Sequence, residues 1–208
     1  MKKKINLILS LVIVGLIFTV FAPTTYAKSF NDNFNDGKVS KWWWLGFSLA
    51  NPANNGNWRV ENGVLLQDTG NDGVIALIND TQISDQTIET KVKLNGPSGG
   101  GGLVLWFKDN NNWTHVILYP AGGFIEVHAH LNGVTSGSQY PYPSLQNDTW
   151  YDLKVVADST RGDLDVYLDG NYLFTHTVTI SNRTGQSGVI NGNAGGAFDN
   201  FRLKTSFH

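Results

Sequence analysis

Glu126, His128 and His130 occupy alternate positions of the run Phe124-Ile125-Glu126-Val127-His128-Ala129-His130-Leu131. A carboxylate and two imidazoles can donate and accept hydrogen bonds at neutral pH, move a proton, or ligate a metal ion. In an extended chain, residues two apart point the same way. The run therefore predicts a strand over 124–131 with these three groups on one face and Ile125, Val127, Ala129 and Leu131 on the core face.

Neighbouring strands must complete any such site. Outward positions of the runs 86–94, 102–108 and 113–119 supply Glu89 and Lys91, Trp106 and Lys108, and Trp113, His115 and Tyr119. If these strands share one sheet, their outward sets converge on a groove lined by Glu89, Lys91, Trp106, Trp113, His115, Glu126, His128 and His130. Polar groups fixed among aromatic rings describe small-ligand sites in general, and sugars use both kinds of contact: ring C–H faces on the aromatics, hydroxyls on the carboxylates and imidazoles. The competing reading is the solvated outer face of an antiparallel sheet. Aromatic neighbours, in place of lysine–glutamate pairs, favour the groove. His128 and His130 are also two apart in the manner of some zinc sites, with His115 as a third ligand, although this spacing is unspecific.

The rest of the chain limits what such a site can serve. Met1-Lys2-Lys3-Lys4, an apolar segment from Ile5 to Ala22, and small Thr25 and Ala27 before Lys28 form a secretory signal peptide over 1–27. Residues 28–208 make roughly 180 residues, which fits one domain with a sizeable core. The chain has no cysteine and a net charge of −2. No basic stretch follows the signal segment, so nucleic acid and anionic membrane find no electrostatic footprint. The expected setting is extracellular, and the expected partner neutral or modestly charged.

With 23 glycines, 25 aromatic residues (7 Trp, 7 Tyr and 11 Phe) and no helical apolar period, the domain reads as all-β with many turns. Twelve strands are expected between Trp58 and Lys204, separated by turns at Asn62-Gly63, Asn132-Gly133, Arg161-Gly162 and Asp169-Gly170. Leu103-Val104-Leu105-Trp106-Phe107 is apolar on both faces and belongs in mid-sheet. Among Trp42-Trp43-Trp44, at least one indole must lie in a loop or at a rim, and Trp42 or Trp44 is expected to plug one end of the sandwich. Tyr140-Pro141-Tyr142-Pro143 reads as an extended loop displaying two phenols.

The order of several segments resembles the concanavalin A-like lectin/glucanase superfamily, in its laminin-G-like branch that includes fructan-type carbohydrate-binding modules. The matching segments are Phe30-Asn31-Asp32-Asn33-Phe34-Asn35-Asp36-Gly37, Trp58 to Leu65, Thr87 to Val92, Gly102 to Asp109, Trp150 to Val155, Val166 to Gly170 and Ala197-Phe198-Asp199-Asn200-Phe201. The resemblance implies a two-sheet antiparallel jelly-roll sandwich with a concave ligand groove. It also implies a structural calcium ion near the termini, held by Asp32, Gly63 and Asp199; the alternative is that the acids cap turns. The catalytic glucanases of this superfamily carry a Glu-x-Asp-x-x-Glu or Glu-x-Asp-x-Glu strand, which is missing here. The sequence therefore reads as a secreted domain that binds an extracellular poly- or oligosaccharide without breaking it. The alternative is a polysaccharide-degrading enzyme with Glu89, Glu126 and His128 as catalytic candidates: a hydrolase using the two glutamates, or a lyase using the histidines.

Overall fold

The computed structural model describes residues 29–49, 56–68, 73–79, 82–96, 99–181, 183–192 and 195–205. The expected signal peptide lies outside the described residues. Within them the chain forms fifteen strands and no helix: β1 (Ser29–Asp32), β2 (Trp43–Ser48), β3 (Trp58–Glu61), β4 (Val64–Gln67), β5 (Val74–Ile78), β6 (Gln86–Leu94), β7 (Gly100–Asp109), β8 (Asn112–Tyr119), β9 (Phe124–Leu131), β10 (Val134–Pro141), β11 (Trp150–Asp158), β12 (Asp163–Leu168), β13 (Asn171–Thr177), β14 (Gln186–Gly192) and β15 (Gly196–Thr205). One sheet has eight strands, in the order β13-β12-β11-β6-β15-β4-β3 with β1 also paired to β15; the other has seven, in the order β10-β9-β8-β7-β14-β5-β2. All pairings are antiparallel. The chain is thus an all-β, two-sheet jelly-roll sandwich.

Local chemistry sets the hairpins. Asn132 and Gly133 both adopt positive φ, 51° and 78°, the conformation of a two-residue type I′ turn whose twist matches that of the flanking strands. That turn places Leu131 opposite Val134 and Glu126 opposite Gln139.

The core lies between the sheets. Ile88, Val92 and Leu94 of β6, with Leu153 and Val155 of β11, face Leu103 and Leu105 of β7, Val116 and Leu118 of β8, and Ile125 and Val127 of β9. Each such side chain contributes about 1.5–3 kcal/mol on full burial. At one side the sheets are joined by edge strands: Tyr140 of β10 stacks on Phe174 of β13, centroids 3.6 Å apart, and its hydroxyl lies 2.8 Å from His176 Nδ1.

Three strands were not anticipated. β10 is exposed at nearly every position; an edge strand with no core face of its own has no apolar alternation to read. β1 and β2 are held by β15 and β5 across long sequence separations, which local pattern does not record. Two expectations about aromatics are corrected with them. Trp43, the middle indole, enters the core, while Trp42 is 53% exposed beneath Lys41 and Trp44 packs on the outer face of the seven-stranded sheet. Tyr140 and Pro141 belong to β10, so Tyr140 is part of the seam between the sheets and is not a loop display.

Candidate functional site

The two outer faces differ sharply. On the eight-stranded sheet, the outer face carries partly exposed ion pairs, Lys91 to Asp152 at 3.0 Å and Arg202 to Glu89 at 3.0 Å. On the seven-stranded sheet, the outer face carries a second apolar layer: Ile75 and Leu77 of β5, Val104 and Phe107 of β7, Trp113 and Ile117 of β8, and Ile190 of β14 are all buried, with Trp44, Leu49 and Tyr119 packed against them. An apolar outer face that excludes water is a sheltered face, and it is here that the polar cluster stands.

β8 and β9 build the cluster. Their register sets His115 opposite His128 and Trp113 opposite His130, and the period of the strand adds Glu126 to the same face. Glu126 Oε1 lies 3.2 Å from His115 Nε2 and 3.3 Å from His128 Nδ1, while Gln139 of β10 donates to Oε2 at 3.0 Å. His115 and Glu126 are buried and His128 is partly exposed. His130 stacks on Trp113 with centroids 3.9 Å apart and planes 7° from parallel, and its Nδ1 lies 3.0 Å from Thr135 Oγ1. Gly137 lies opposite His128 on β10; a β-carbon there would stand 2.0 Å from the Val127 carbonyl oxygen and 2.4 Å from His128 Cδ2. The glycine therefore gives the His128 ring its place.

The electrostatics follow. Burial opposes charge on Glu126, but hydrogen bonds from His115 and Gln139 and the nearby imidazoles outweigh it, so its pKa falls below the ordinary glutamate value. Glu126 is a carboxylate at neutral pH, suited to accepting hydrogen bonds. Burial, with His115 and His128 beside it, pushes His130 down to about 4. His130 is thus a neutral aromatic plate extending the Trp113 surface.

Of the residues expected to line a groove, Trp113, His115, Glu126, His128 and His130 come together. Three do not. Glu89 and Lys91 are on the outer face of the opposite sheet, because β6 pairs with β11 and β15; packed sheets stand about 10 Å apart, so a full sandwich separates them from Glu126. Trp106 is fully buried in the core, with its indole N–H donating to the Ser84 carbonyl at 2.7 Å. Its positive φ of 53° falls where the β7–β8 register shifts, and this bulge turns the ring inward against the alternation of Leu103 and Leu105.

Reasoning from sequence overlooked Gln139, Thr135 and Gly137, and a signal for them existed: a two-residue turn at Asn132-Gly133 makes paired positions sum to a constant, which sets Gln139 opposite Glu126. Trp44 and the apolar layer had no comparable local signal.

Of the residues expected to hold calcium, Asp199 belongs to β15, Asp32 pairs with Phe201 of that strand, and Gly63 lies in the turn between β3 and β4. Asp32 accepts hydrogen bonds from the Phe34 amide and the Trp43 indole N–H, each at 2.9 Å; Gly63 sits against Asn35; and Asp199 accepts from the Asn200 amide at 2.6 Å. Asp32 thus acts as a turn cap, and an ion would have to share these carboxylates with their present donors.

A cavity of about 1170 Å³ lies elsewhere, beside β1, and is lined by Phe30, Asp32, Trp42, Ile83 and Arg202 among others. It contains no group of three ligating side chains; the one such group among the described residues is His115, Glu126 and His128. Chemistry therefore points to the β8–β9 face.

No protein-family model matches the sequence, and no curated protein matches it at a significant level. Solved structures do resemble it. The carbohydrate-binding module CBM66 from Bacillus subtilis superposes with a TM-score of 0.65 at 20% identity, over 77% of this chain and 94% of the module. A Bacillus licheniformis β-glucanase gives 0.62 at 14%, over 86% and 98% of the two chains. The catalytic domain of an endo-1,3-β-glucanase (laminarinase) from Thermotoga petrophila gives 0.62 at 15%, over 86% and 97%. The chain has the concanavalin A-like jelly-roll fold. At these identities the likeness is one of fold.

Proposed function

We propose that this chain is an exported carbohydrate-binding domain that holds a poly- or oligosaccharide on the outer face of its seven-stranded sheet without cleaving it. The observation that carries the proposal is the ionised Glu126, fixed by His115, His128 and Gln139 beside the Trp113–His130 stack on an otherwise apolar, sheltered face. A carboxylate with remaining acceptor sites takes sugar hydroxyls, the partly exposed His128 adds a second polar contact, and the stacked rings take the apolar face of a sugar. Fold neighbours named as a carbohydrate-binding module and as glucanases are consistent with a glycan partner, and residues 1–27 support export.

Binding is favoured over hydrolysis by two features. A retaining or inverting glycosidase needs two carboxyl groups about 5–9.5 Å apart, one with a raised pKa. Glu89 and Glu126 face opposite sides of the molecule, and the pKa of Glu126 is lowered. Native affinity electrophoresis through gels containing different plant and microbial polysaccharides tests the proposal. Retardation in a gel whose polymer stains intact supports it; a cleared track, or no retardation in any gel, refutes it.

A further inference from the structure

The cluster that presents Glu126 has a second property. One ligand atom from each of His115, Glu126 and His128 lies within 4.8 Å of the other two, and His115 Nε2 and His128 Nδ1 stand 3.2 and 3.3 Å from Glu126 Oε1. Charge-assisted N–H to carboxylate hydrogen bonds are shorter, about 2.7–2.9 Å. Ligands at about 2.0–2.1 Å from a tetrahedral ion are separated by about 3.3–3.4 Å. The two gaps to the shared oxygen match the second figure better than the first.

From this geometry we infer a site for one divalent transition-metal ion of the zinc class, ligated by His115, Glu126 and His128. The donor set is two imidazoles and one carboxylate, with no thiolate; that mixture suits a borderline ion better than soft Cu(I) or hard Ca²⁺ and Mg²⁺. Gln139 donates to Glu126 Oε2 at 3.0 Å, which orients the carboxylate and leaves Oε1 for the ion, as outer hydrogen bonds do in metal sites. The ligands come from neighbouring positions on two paired strands, and partly exposed His128 is the member with room to adjust to an ion. His130 is outside the ligand group, which comprises His115, Glu126 and His128; its ring stacks on Trp113 and its Nδ1 faces Thr135. Three protein ligands leave a fourth position open toward the outer face, for water or for an oxygen of a bound molecule.

The test is a zinc titration of the purified, chelator-stripped chain in competition with a chromophoric chelator, with Co²⁺ substitution as a second readout. The expected result is one Zn²⁺ per chain, not displaced by millimolar Ca²⁺, and intense visible Co²⁺ bands of a four-coordinate site. His128→Ala should weaken zinc binding by at least tenfold, and Gln139→Leu by about tenfold to a hundredfold. Glu89→Gln, on the opposite sheet, should leave it unchanged. His128 is partly exposed, so its alanine variant should fold even where changes at buried Glu126 do not. Absence of stoichiometric binding, or stoichiometric binding that survives both His128→Ala and Glu126→Gln, overturns the site. The ion site does not depend on the sugar reading: zinc bound at one equivalent by a protein that no polysaccharide retards would leave the metal and remove the sugar.

Discussion

Glu126→Gln, compared with Glu89→Gln, separates the two faces of the sandwich in one experiment. The substitution at Glu126 removes the negative charge and leaves one amide N–H₂ facing either the two imidazoles beside Oε1 or Gln139, which donates to Oε2. A hydrogen bond to a charged group contributes about 1.5–3 kcal/mol. An ionised carboxylate has roughly four acceptor positions, of which the three observed contacts engage most, so one sugar hydroxyl is the realistic load. The expected loss is therefore at the low end, about 1.5 kcal/mol, or roughly tenfold in Kd. Glu89 pairs with Arg202 on the outer face of the other sheet, and its substitution should leave affinity unchanged. The assay is isothermal titration with the oligosaccharide named by affinity electrophoresis, supported by melting curves to confirm folding. Equal effects of both substitutions, or loss only at Glu89, would refute the assignment of the binding face.

Three further outcomes are expected. Trp106→Ala should cost about 3–5 kcal/mol as a core truncation, lowering Tm by about 6–20 °C, while folded protein keeps its ligand affinity; calorimetry plus titration checks both. Gly137→Ala drives a β-carbon into the Val127 carbonyl and the His128 ring and should cost about 1–3 kcal/mol as overpacking, so thermal melting and ligand titration should show stability and affinity falling together. Burial, aided by the charge of His128, lowers the pKa of His176 below its ordinary 6.5; the unfolded chain then binds more protons than the fold just below that value, and stability declines as pH drops through 6.5. Melting temperatures across pH 5–8 should show this decline reduced in His176→Gln.

Much of the site was legible locally. The alternation in 124–131 assigned Glu126, His128 and His130 to one face, and the structure keeps it. β6 alternates as read, with Ile88, Val92 and Leu94 inward. The trouble with Glu89 and Lys91 was not their orientation but their sheet. Trp106 failed for a different reason: one residue at positive φ breaks the period, and nothing in the apolar run around it signals the bulge. The Trp42-Trp43-Trp44 assignment likewise depended on which strand β2 would pair with.

By itself, the sequence determined the class of the domain, most of its strands, the hairpin turn at Asn132-Gly133 and the inward or outward sense of each residue along a regular strand. These are short-range properties, set by backbone sterics and a period of two. The tertiary structure alone decided which of the two outer faces each strand presents. In a sandwich both outer faces follow the same alternation, so Glu89 and Glu126 look equivalent until long-range pairing sends β6 to one sheet and β9 to the other. Only that pairing sets His115 beside Glu126 and His128 and leaves the second glutamate on the far side of the molecule.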